Sequence, residues 1–467
     1  MNEPGIVTDV IDAADDESGD PFDLNVSLGF EYASKSATIR RETHIYQPGL
    51  TTGGYTSRAM NVASYSSTRA QLVPRLDVGI YKDIAAYFRL PIVLSYAQDL
   101  RSLDGTQGKE GVVLQGTPGS TLFTLPFASP TRSGLDYLAM GLDLNVLNQA
   151  RNPAKPTWLL GGELRLSLGE PMHACRPSSS GGQVGCADPA DINRNGVSDG
   201  GFEGKDVGVR EPGVSRGTTA FEGHTMISNR MRYVEPYAGF SGLFEFQQAS
   251  SDFGRTESIA SLVNHPPFVG TMLLGLMVTP WEDREAFERL SFDFRFQGEY
   301  HSQGRDYSEL FDALGSSDDP SLRLPEWTGY TAGNTAQGQP ISVVDETSSK
   351  NYFTGITEVA AYGSYRGSAA LTWQAARMFR IQLGMGYRYD QSHVITADQH
   401  CNPDLTSQAS TAGPCKVVTA LTGGSTRTTP TGAPNPNFRP VINGTGRRFF
   451  VDDSGTLDFF SSATLMF

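Results

Sequence analysis

Apolar and polar side chains alternate with a period of two along most of this chain, the signature of strands that show different faces to different surroundings. From Leu24 the side chains Leu24, Val26, Leu28, Phe30 and Tyr32 share one parity, opposite Asn25, Ser27, Gly29 and Glu31. The face Leu72, Pro74, Leu76, Val78 and Ile80 opposes Arg75, Asp77 and Gly79. After Lys82-Asp83 comes a run with Ala86, Phe88, Leu90, Ile92, Leu94 and Tyr96 outward. Similar runs start near Leu138, Trp158, Ala238, Phe268, Leu290, Val359, Ile381 and Leu457. A weaker one, residues 218 to 231, must be a strand if the number is to be even, which makes about twelve.

The connections alternate too. Short ones are expected at Lys82-Asp83, Asn148 to Lys155, Arg232 to Glu235, Pro280 to Phe287 and Ala376 to Met378. Between them lie long ones near 37 to 67, 98 to 133, 171 to 217, 250 to 266, 303 to 351 and 396 to 454. A soluble sandwich has no reason to put all its short turns at one end, whereas a transmembrane barrel does. The fold expected is therefore all-β: an antiparallel up-and-down barrel over residues 22 to 467, preceded by an acidic tail, residues 1 to 21, expected to be disordered.

Composition agrees with strands rather than helices. Charged residues are 19% of the chain, aromatics 10%, and there are 51 glycines. The mean hydropathy is -0.30 and no run of about 18 apolar residues occurs, which excludes a membrane-spanning helix but not a barrel with half-apolar strands. A net charge of -14 without a Lys/Arg cluster argues against a nucleic-acid partner. Residues 1 to 23 hold eight acidic and no basic side chains, so they are not a signal peptide, and an exported form is expected to have lost one already. Cys175 with Cys186 and Cys401 with Cys415 form two local pairs in Gly/Ser/Pro/Thr-rich stretches, which suits disulfides in an oxidising compartment.

Trp158, Trp281 and Trp373 fall at the short-turn ends, where an indole ring sits well at lipid headgroup level. The chain stops in register on LDFFSSATLMF, with Phe467 last. In these features it resembles the bacterial outer-membrane β-barrel proteins as a superfamily. The resemblance implies an outer-membrane location, contact with lipid, and Phe467 as a signal for the barrel assembly machinery.

In such a barrel the inward faces carry the function. Parity places there Glu31, Arg75, Asp77, Arg89, Asp143, Glu163, Arg165, Glu245, Asp293, Arg295, Glu299, Glu358, Arg366, Arg380, Arg388, Asp390 and Asp458. All the bases in this set are arginine, whose planar fork can hold several carboxylates. A narrow channel for small polar or charged solutes is the expected function. The competing reading is a surface scaffold, adhesion or complex-forming barrel with an occluded lumen, and long loops folding inward would favour it. No enzyme is expected: His301 and His393 fall on opposite parities, and the adjacent Ser302 and Ser392 cannot complete a triad within one strand. In the third long loop Asp191, Asn193, Asn195 and Asp199, with Gly196 between, are spaced as oxygen ligands for Ca2+ and are similar to the calcium loops of thrombospondin type 3 repeats.

Overall fold

The structure, a computed structural model, describes residues 8, 10, 24–46, 55–103, 113–116, 119–177, 184–186, 211–248, 251–254, 263–283, 285–323, 330–334, 340–344, 353–402, 416–420, 424, 426–430, 433–435 and 437–467. Twelve antiparallel strands close into a barrel. They are β1 (Leu24–Tyr46), β2 (Tyr55–Tyr81), β3 (Ile84–Arg89, continued by Ile92–Ser102), β4 (Tyr137–Leu147), β5 (Thr157–Ser167) and β6 (Thr218–Ser228). Then follow β7 (Val234–Gln247), β8 (Val269–Asp283), β9 (Glu288–His301), β10 (Tyr362–Ala376), β11 (Phe379–Asp390) and β12 (Phe449–Met466). The weak run is thus β6, and the even number holds.

Closure is through β1 and β12, paired from Asn25 opposite Met466 to Arg41 opposite Phe449. Phe467 continues it: its N–H donates to the Leu24 carbonyl at 2.8 Å, and the Leu24 N–H to its carbonyl at 3.2 Å. With no free edge, every strand finds its backbone partners inside the sheet, which a hydrocarbon surrounding demands. Several turns at the short end are so tight that Lys82, Arg232 and Phe287 take the left-handed backbone, at φ 45°, 56° and 56°.

The outward face is apolar and bare. Leu142 is 56% exposed, Phe240 62%, Phe246 63% and Leu383 54%, on strands all round the barrel. So large an exposed apolar surface is not that of a water-soluble monomer. Trp158, Trp281, Trp373 and Phe467 are exposed at the short-turn end, where the sequence places a girdle.

Three departures from the sequence pattern have local causes. The connection expected near 37 to 67 is mostly strand, because β1 and β2 pair from Leu24 opposite Val78 up to Tyr46 opposite Tyr55. Their Ser/Thr-rich outer ends lack apolar alternation yet form a continuous ladder. The third strand breaks at Leu90-Pro91, since proline has no N–H for the ladder. A bulge follows: Ala70 faces Ser95, but Gln71 faces Val93, leaving Leu94 as the extra residue. Parity flips there, so Tyr96, expected on the lipid side, faces inward opposite Arg69.

Candidate functional site: the lumen and its inner cap

Glycines arrange the lumen wall. Tyr237 on β7 reaches across Gly275 of β8 and donates to Asp293 on β9 at 2.6 Å. Arg366 on β10 holds Asp458 on β12 at 3.1 Å from Nε, over Gly386 of β11. His224 on β6 meets Asp143 on β4 at 2.8 Å, over Gly161 of β5. A methyl at any of these glycines would collide with the side chain crossing it. Tyr87 likewise lies over Gly141, and Phe460 over Gly384. The missing side chain on the middle strand lets its neighbours lie along the wall instead of pointing to the axis.

Arginines stack on these flattened rings: Arg75 on Tyr87 at 4.3 Å, Arg295 on Tyr237 at 5.7 Å and Arg366 on Phe460 at 5.9 Å. Each also faces a carboxylate, Arg75 with Asp77 at 2.6 Å and Arg295 with Asp293 at 3.5 Å, while Arg366 has Asp458. Elsewhere Arg89 and Arg165 converge on Glu163 at 2.7 and 2.5 Å, and Arg165 also binds Glu222. Arg388 joins Glu299 at 3.3 Å to Asp390 at 2.8 Å. Glu31 accepts from Gln71 at 2.6 Å, Glu245 from Arg216 at 2.8 Å, and Arg380 stands on β11 opposite Gln374 and Thr464. Several of these side chains keep contact with solvent: Arg75 is 39% exposed, Arg295 34% and Arg366 24%.

Glu358 is the exception among the residues assigned to the wall. It lies before β10 on a short strand, Thr357–Val359, paired with Gly304–Asp306, and is fully buried. Periodicity misplaced it because the run from Val359 continues into β10 without a visible break. Sequence reasoning also missed lumen bases and acids. Lys35 on β1 binds Glu309 at 2.8 Å and Asp390 at 3.3 Å, so the bases are not all arginine. Its parity with Glu31 would have found it, had the β1 run been carried past Tyr32. Arg69 was legible by carrying the Leu72 run back towards the N-terminus, and Glu222 and His224 by applying parity within the weak run 218 to 231.

Described residues of the long loops pack against the inward face of the outer wall. Their apolar residues Val113, Leu114, Leu122, Phe123, Leu310, Leu314, Leu322, Val441 and Ile442 form one core with Ile39, Val62, Ala63 and Tyr65 of the wall. These loop residues sit far apart in sequence and carry no periodicity, so only the fold unites them. A short helix, α1 (Phe311–Gly315), lies in this cap. Arg132 grips its Asp312 with two bonds of 2.9 and 2.6 Å, and both side chains are almost wholly buried. Lys35 to Glu309 and Arg216 to Asp306 at 2.8 Å tie the same segment to wall and neighbouring loop. Arg41 of β1 donates to the carbonyls of Val113 and Val441 and stacks on Phe449 at 4.7 Å. Burial alone would raise the Glu309 carboxyl, but the Lys35 ammonium beside it holds it below its ordinary value.

Glu358 has the opposite fate. One oxygen accepts from Gln303, the other is buried without a partner, and Asp398 stands close by, bound by Arg305. Burial first, and the Asp398 charge second, push its pKa up to about 7. Nearby, burial lowers the fully enclosed Arg439 guanidinium to about 9, and it donates to the Leu322 carbonyl at 2.9 Å.

His301 and His393, assigned to opposite faces by parity, both stack on Tyr362, at 4.5 and 3.9 Å between ring centres. The reason is that β11 ends at Asp390 and the chain turns inward, with Gln391 N–H on the Gly363 carbonyl at 2.9 Å. Cys175 and Cys186 are disulfide-bonded. Cys401 lies on the short strand Cys401–Asn402, while Cys415 and the candidate calcium ligands Asp191, Asn193, Asn195 and Asp199 lie outside the described residues.

No protein-family model and no curated protein matches the chain. Among solved structures it is similar to a FadL homologue of Pseudomonas aeruginosa at 10% identity and a TM-score of 0.34, covering 95% of this chain and 90% of that one. An outer membrane channel from Pseudomonas putida F1 matches at 9% and 0.32, covering 95% of each chain. The P. putida toluene transporter TodX matches at 8% and 0.31, covering 95% and 90%. Likeness at this level carries nothing about function. The closed twelve-stranded antiparallel sheet, its apolar outer face and its charged interior give the chain the architecture of a membrane-spanning β-barrel.

Proposed function

We propose that this barrel is a gated channel for small polar or charged solutes, closed at its outer end by the inward-folded loops in the conformation described. The observation that carries the reading is the wall-hugging lumen. Aromatic rings lie flat over Gly141, Gly275 and Gly384, and the arginines stacked on them stay partly wet. A barrel built only to be solid would fill its axis with those rings, as eight-stranded barrels do; twelve strands stand between that limit and the open channels of about sixteen. Charge pairs along a hydrated wall suit passage of polar solutes, and passage requires no catalysis. Phe467 completes the proposal as the signal for assembly into the lipid.

A specific observation also favours the second reading. The cap has its own apolar core and buried ion pairs, which is more than a loose loop needs. A permanently occluded barrel displaying a folded outer surface would look like this. Planar-bilayer recordings in potassium chloride separate the two. The channel reading expects rare, brief openings from the purified chain and frequent, reproducible steps from Leu314→Ala, which removes a buried cap residue. Silence from both, in protein whose gel mobility still shifts on heating, would leave the scaffold reading standing.

A further inference from the structure

The lumen has a second closure, at the opposite end. Thr8 and Val10, far from any strand in sequence, are buried inside the barrel, Thr8 completely and Val10 to within 6%. The Thr8 hydroxyl meets Ser228 Oγ at 2.6 Å, and the Asn145 side-chain amide donates to the Thr8 carbonyl at 3.2 Å. Val10 packs with Ala85 and Leu159, and Met226 lies against them. These partners belong to β3, β4, β5 and β6, four consecutive strands, and all lie near the short turns.

The wall itself asks for such an occupant. Most inward positions are charged, hydroxylated or glycine, yet Ala85, Leu159 and Met226, on three of these four strands, make an apolar patch. Facing water, that patch would lose the favourable burial it gains under Val10. Ser228 and Asn145 beside it are also buried, at 2% and 5% exposed, and their bonds go to Thr8. Patch and hydroxyl together fit a short stretch of this chain with one small hydroxyl residue and one branched aliphatic residue two positions on.

We propose that Thr8 and Val10 form a stopper seated in the inner mouth of the lumen, and that they must leave before solute can pass. The statement that it gates passage rests on the channel reading; its seat does not. In the full chain carrying Leu159→Cys, a charged, membrane-impermeant maleimide should label the thiol at least tenfold more slowly than after deletion of residues 1 to 21. Val10→Asp in the full chain, which puts a charge on the patch, should restore fast labelling and guards against a deletion that fails to assemble. Equal labelling in all three overturns the stopper. Conductance is read in parallel with the cap loosened by Leu314→Ala: removing the segment should raise open probability several-fold. Slow labelling with unchanged, measurable conductance overturns the gating role. Slow labelling with no conductance from any variant overturns the channel reading and leaves the seat in place.

Discussion

Glu358→Gln should make the cap indifferent to pH and tighter than the natural protein at neutral pH. The wild-type carboxyl is fully buried, one of its oxygens lacks a partner, and Asp398 lies near it, so its pKa rises from 4.5 to about 7. The sign follows from which state holds the proton more firmly. Below about pH 4.5 the group is neutral in both closed and open cap and costs nothing. Between 4.5 and 7 the open cap would ionise while the closed one resists, so closure weakens by ~1.4 kcal/mol per pH unit. Above 7 the loss is complete, about 3 kcal/mol, or roughly a hundredfold in the ratio of open to closed. Glutamine keeps the shape and an oxygen for Gln303, and removes the charge. Amide hydrogen exchange over Phe311–Gly315 and Thr357–Val359, corrected for intrinsic chemistry, reads cap opening at pH 5 and pH 8. The wild type should protect these amides about a hundredfold better at pH 5, and the variant equally at both. Equal protection in the wild type at both pH values, or better protection at pH 8, would refute the reasoning.

Leu314→Ala leaves a void in the cap core and should cost about 2–5 kcal/mol of cap stability, seen as faster protease cleavage within residues 303–323 while the barrel keeps its heat-modifiable gel mobility. Asp312→Asn strands the Arg132 guanidinium, which is 1% exposed, and should weaken the cap by about 3–5 kcal/mol; pairing Arg132→Met with Asp312→Leu should recover most of the protection. Gly275→Val would drive the Tyr237 ring off the wall, breaking its bond to Asp293, and should lower the yield of folded barrel in refolding trials more than Gly298→Val, where the added carbon meets nothing. Calcium titration by calorimetry should give weak binding that Asp191→Asn with Asp199→Asn removes, since two asparagines already replace charged ligands in that segment.

The barrel was legible because its two solvents are so different. A strand with lipid on one side and water on the other must alternate, and Leu24 to Tyr32 or Leu290 to Phe296 can be read in no other way. Sixteen of the seventeen charges placed inward by that rule stand on barrel strands. The rule failed where alternation is not the constraint. Pro91 removes a ladder donor and Leu94 bulges, so the parity of Tyr96 inverts without a change in hydrophobicity. Glu358 and His393 lie just outside the long strands β10 and β11, on the short strands Thr357–Val359 and His393–Val394, where the parity of the long run no longer applies.

The cap and the inner stopper were not legible for a deeper reason. Leu114, Leu314 and Ile442 come from three loops, and Val10 from the acidic tail; each looks like a lone apolar residue in a polar stretch. A lone apolar residue is normally unremarkable on a surface. Inside a closed barrel it is different, because a loop that enters the lumen meets wall residues that have no lipid and little water to satisfy them. Ile39, Val62, Ala63 and Tyr65 at the outer end, and Ala85, Leu159 and Met226 at the inner end, are apolar on a face that a plain water-filled pore would keep polar. Those exceptions to the inward parity rule mark where something else must sit. Between the two patches the wall carries most of the arginines, carboxylates and glycines, with single apolar residues such as Val73 and Leu273 among them, so on the channel reading a polar length of lumen lies between two closures of unlike strength. The outer one is held by a many-residue core and buried ion pairs, the inner one by two side chains and two hydrogen bonds. By that difference the inner closure should yield first, and the cap should set the rate at which the barrel opens end to end.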